Sequence, residues 1–192
     1  DWIDSYWHDL QNAYNTNEHF VLKDPRLCIL LEGIIPCLVD SLLQLDFVDI
    51  GSPVEVVISL CKAEKISPYD ALNLWIGSVF RAECMSRPYS RNILTYYQLL
   101  NRPQAIVDSL GLNWNPSLME SRLDQATSFL RPSLYRTKVD NVRESFVATN
   151  PELTSLLVLA EQIFDCFQYR TPDIALTSEK LKYQWLEILA DR

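Results

Sequence analysis

Four times in this chain a serine or asparagine stands directly before a proline: Ser52-Pro53, Ser67-Pro68, Asn115-Pro116 and Asn150-Pro151. A small polar side chain can accept a hydrogen bond from the free backbone N–H groups of a helix's first turn. Proline fits the first helical position because its missing N–H would have no partner there anyway. Each pair therefore marks a helix start and fixes where the preceding segment must end. After two of them an acid stands three residues beyond the cap, Glu55 in "SPVE" and Asp70 in "SPYD", which predicts capping boxes.

Between these starts, the spacing of apolar residues fills in the elements. "WIDSYWHDLQNAYNT" carries Trp2, Ile3, Tyr6, Trp7, Leu10 and Tyr14 at helical spacing, and "LCILLEGIIPCLVDSLL" predicts a buried helical stretch bent or divided at Gly33 and Pro36. "ALNLWIGSVFRAE" is predicted to bury Leu72, Trp75, Val79 and Ala82, and "SEKLKYQWLEILA" to place Leu181, Trp185 and Ile188 on one face. "PQAIVDSLG" predicts a short helix closed by Gly111. Short apolar runs at 19–23, 45–50 and 92–97 are the strand candidates. Three strands separated by helices predict an α/β domain whose parallel sheet is flanked by helices. In such a sheet ligands sit at the carboxyl ends of the strands, which here carry "KDPR", "GSP" and "YYQL".

Composition limits what such a domain can do. With 192 residues, 48% of them hydrophobic, the chain can bury the core of one domain over 1–192. Its 17 Lys and Arg against 25 Asp and Glu argue against nucleic acid as a partner. Apolar runs are broken well before the length of a membrane span. Five cysteines without a C-x-x-C pair suit a reducing, cytoplasmic setting. The chain opens on Asp1 without a signal-peptide pattern, which leads to the expectation that it is cut from something longer.

Six segments in order, "VLKDPRL", "SPVEVVISL", "SPYDALNLWIGSVFRAE", "ILTYYQLL", "LGLNW" and "FLRPSLYR", resemble bacterial members of the sulfotransferase family over about residues 19–138. Residues 139–192 would then form a helical C-terminal extension. The resemblance implies a P-loop-like α/β fold and sulfuryl transfer from PAPS to a hydroxyl acceptor, carbohydrate or lipid-linked. It assigns Lys23 to the catalytic lysine, Ser59 to the serine that contacts the donor's 3′ phosphate, and Tyr96 to the segment bordering the adenine. Arg136 and Lys138 fall near the family's basic C-terminal segment and are candidate phosphate contacts.

Three departures stand against an intact site. Gly51 occupies the position where the family carries its phosphate-gripping arginine. With only four glycines, the chain has no Gly-rich phosphate turn. "YYQL" replaces both acids of the family's usual Y-E-D-L by Tyr97 and Gln98. Two functions are therefore expected to compete: a PAPS-dependent sulfotransferase completed by an N-terminal part, and a degenerate, non-catalytic module for glycan binding or assembly within a larger protein. Asp24 as a base competes with a plain Asp-Pro turn, and Arg26 with a local ion pair. His8 and His19 lie outside every matched motif and, lacking acids or cysteines at ligand spacing, predict no metal site.

Overall fold

The structure, a computed structural model, describes residues 45–48, 51–89, 91–95, 98, 101–102, 141–168 and 174–190, together with Ser5, His8, Asp9, Asn12, Cys28 and Gly33. Along these residues run β1 (Leu45–Val48), α1 (Pro53–Glu64), α2 (Pro68–Ser86), β2 (Arg91–Leu94), α3 (Val142–Thr149), a 3-10 turn (Pro151–Leu153), α4 (Thr154–Gln168) and α5 (Ile174–Ala190). The predicted strand at 19–23 and helices at 103–111 and 115–130 lie outside the described residues.

The expectation of an α/β, sulfotransferase-like parallel sheet flanked by helices is corrected here. The described residues are predominantly helical. Their extended structure amounts to two four-residue strands in a single parallel pairing, Leu45 opposite Arg91 through Val48 opposite Leu94. A pair this short cannot present two broad apolar faces for helices to cover. The core forms between helices instead.

That core joins Val54 and Val57 of α1, Leu72, Trp75, Ile76 and Phe80 of α2, Ile93 of β2, Phe146 of α3, and Leu156, Leu157, Ala160 and Ile163 of α4. Leu181 of α5 completes it, with Trp185 and Ile188 packed against it half-buried. α1 and α2 form a helical hairpin, and α4 packs on both as well as on β2 and α5. The predicted inner face of α2 is observed at Leu72, Trp75 and Ala82, with Val79 half-buried. It is wider than predicted, because Ala71, Ile76, Phe80 and Glu83 are buried too.

The three-residue link between α1 and α2 ends α1 at Lys65, whose φ of 55° lies in the left-handed region. Glycine usually occupies such a helix end, so no residue type in the sequence announces this one. α5 is seated on α2 by Trp185. Its ring lies so close to Gly77 that a β-carbon there would stand 3.3 Å from Cη2. Its Nε1 donates to Asn73 Oδ1 at 2.8 Å, and its centroid is 5.9 Å from that of Phe80. Asn73, Gly77 and Phe80 recur at helical spacing, so one stripe of α2 receives the whole indole.

Candidate functional site

Because β1 and β2 are parallel, their carboxyl ends, Val48 and Leu94, lie side by side. A helix begins shortly after each, which brings two helix starts to one end of the strand pair. This is where a ligand would be sought in a parallel arrangement. The first start is Gly51-Ser52-Pro53, ahead of α1. Ser52 is the N-cap, and its carbonyl accepts from the Val56 N–H at 3.1 Å, but its side chain makes no capping hydrogen bond. Glu55 does not complete the predicted box. Its Oε1 is buried without a hydrogen-bond partner among the described residues, and desolvation pushes its carboxyl above the usual carboxylate range.

The second start follows β2 and is capped by a reciprocal pair. The Thr95 N–H donates to Gln98 Oε1 at 2.9 Å, while the Gln98 N–H donates to Thr95 Oγ1 at 3.2 Å. The Arg102 N–H then donates to the Gln98 carbonyl at 2.8 Å, a helical bond. Thr95 is 1% exposed, so this reciprocal bonding satisfies a backbone donor that water cannot reach. Gln98, predicted as the altered remnant of an acidic family segment, is thus the acceptor that closes a capping box.

Of the predicted donor-contact residues, Ser59 is described and lies exposed on α1, six residues past Pro53. At a rise of about 1.5 Å per residue it stands roughly 9 Å further along the helix axis. Lys23, Tyr96, Arg136 and Lys138 lie outside the described residues, as do Asp24, Arg26 and His19. Among the described residues of the two turns, 51–55 and 95–98, the one ionisable side chain is Glu55.

Two further groupings lie elsewhere. Arg87, just past the end of α2, clasps Glu83 with Nε 3.0 Å from both carboxylate oxygens and one terminal nitrogen 2.6 Å from Oε2. The same terminal nitrogen reaches Glu179 Oε1 on α5 at 3.0 Å. The Glu83 side chain is fully buried, whereas that of Glu179 is 39% exposed. These charged contacts raise the already high pKa of Arg87 further, the Glu83 hydrogen bond first among them. Nearby Ser86 is buried and donates to the Glu83 carbonyl at 3.0 Å. The spacing Glu-x-x-x-Arg was visible in the sequence as a helical pair. That Glu83 sits on the buried face was not, since an acid is usually assigned to solvent.

The second grouping is an open cleft of about 300 Å³ between α4 and α5, with Val158, Leu159 and Ile188 as its apolar lining and Ser155, Gln162, Gln184 and Glu187 at its polar positions.

Burial pushes the Cys61 thiol up, away from the reactive thiolate. Among the described residues no three His, Cys, Asp or Glu side chains gather as a metal site. No helix among them is long and apolar enough to cross a membrane. No family model, curated protein or solved structure matches the chain.

Proposed function

We propose that this chain is a non-catalytic, mainly helical module that serves protein assembly and does not hold the PAPS donor. One observation carries the reading: the turns at the carboxyl ends of the paired strands hold Gly51, an uncommitted Ser52 and the desolvated Glu55, with no cation among their described residues. A charge-assisted contact to phosphate is about twice as strong as a neutral one, and the position expected to supply it is glycine. Ser59 alone, a neutral hydroxyl, is a poor substitute for that charge.

Leu74, Val158, Tyr183 and Leu186 are large apolar side chains left exposed, and in an assembly role they would be available to a partner. The odd cysteine count without a C-x-x-C pair supports a cytoplasmic setting.

The test is calorimetric titration of the folded chain with PAP, the desulfonated donor product, alongside Ser59→Ala. The expected result is no heat of binding for either protein. Micromolar binding that Ser59→Ala abolishes would overturn the proposal. It would favour the sulfotransferase reading, with Lys23, Tyr96, Arg136 and Lys138 as the next positions to substitute and a hydroxyl acceptor to be sought.

A further inference from the structure

We draw no further inference here: the strongest candidate, the open cleft between α4 and α5 with Val158, Leu159 and Ile188 in its lining, carries nothing because nothing in the structure shows what covers it.

Discussion

Arg87 holds two carboxylates with the same terminal nitrogen, and the two bonds differ in length by only 0.4 Å, 2.6 Å to Glu83 and 3.0 Å to Glu179. Their surroundings differ far more. The Glu83 side chain has no exposed surface, that of Glu179 is 39% exposed, and that of Arg87 is 29% exposed. Removing one partner of a buried ion pair costs about 3–5 kcal/mol, whereas an exposed pair contributes about 0–1 kcal/mol. Arg87→Met strips the guanidinium from the buried carboxylate. Since water reaches Arg87 itself, the lower end of the buried range applies, about 3 kcal/mol. Glu179→Gln removes only the exposed arm and should cost about 0.5 kcal/mol. The double variant Glu83→Leu, Arg87→Met removes the buried charge along with its partner and should recover to within about 1 kcal/mol of the parent. Urea unfolding at neutral pH, followed by far-ultraviolet circular dichroism, reads all three. If Arg87→Met and Glu179→Gln cost the same, or if the double variant is no more stable than Arg87→Met, burial does not set the strength of this cluster and the reasoning fails.

The remaining predictions use the same unfolding assay. Ser67→Ala should cost about 1 kcal/mol, because Ser67 Oγ accepts from the Asp70 N–H at 3.1 Å, while Ser52→Ala should change stability by no more than a few tenths. Equal losses at the two serines would contradict the difference in capping. Gln98→Ala should cost about 1–2 kcal/mol by leaving the Thr95 N–H without its acceptor in a buried position, and an unchanged urea midpoint would show that the box carries no weight. For Glu55 the sign follows from its raised folded-state pKa: in the window from about pH 4 upward the native state keeps a proton that the unfolded chain has released, so this group's contribution to stability falls as pH rises. The stability of Glu55→Gln relative to the parent should therefore increase from about pH 4 toward neutrality, and a difference that stays flat would refute the desolvation.

The cap-and-proline pairs show how far local chemistry reads and where it stops. Ser67-Pro68 opens α2 as predicted, and its hydroxyl, besides accepting from the Asp70 N–H, donates to Asp70 Oδ2 at 2.6 Å. Ser52-Pro53 opens α1 at the predicted residue, yet the expected box is missing. Proline at the first position is a backbone property and survives any packing, whereas the reach of Glu55 depends on what surrounds its carboxylate, and there burial wins. At Asn150-Pro151 the predicted cap and first-turn proline are observed, but on a 3-10 turn that runs on into α4. The Asn150 side-chain Nδ2 donates back to the Phe146 carbonyl at 3.0 Å, as its backbone N–H does at 2.9 Å, so the residue closes α3. Pro151 then begins a 3-10 turn, and α4 starts at Thr154. Asn150 thus serves both sides: its N–H groups close α3 on the Phe146 carbonyl four residues back, while its own carbonyl accepts from the Leu153 N–H at 3.0 Å and opens the 3-10 turn.

The fragments that carry the family resemblance also have a local structural use. Three of the six segments that carry the family resemblance, those beginning "SPVE" and "SPYD" and the one containing "TYYQ", are placed by the structure at helix starts. A strand that leads into a helix must satisfy free N–H groups whatever the protein does, and the side chains able to do so are few: serine, threonine, aspartate or asparagine at the cap, an acid or glutamine three residues on, and proline between. Sequences with strands and helices in similar order can therefore share such fragments in register whether or not they share a ligand. Thr95 and Gln98 give the sharpest instance, since threonine followed three residues later by glutamine can be predicted as a capping box from sequence alone. An acid removed from a donor site and a glutamine placed to cap a helix look the same in one sequence; what the structure shows is the cap, with Thr95 buried and bonded to Gln98 in both directions.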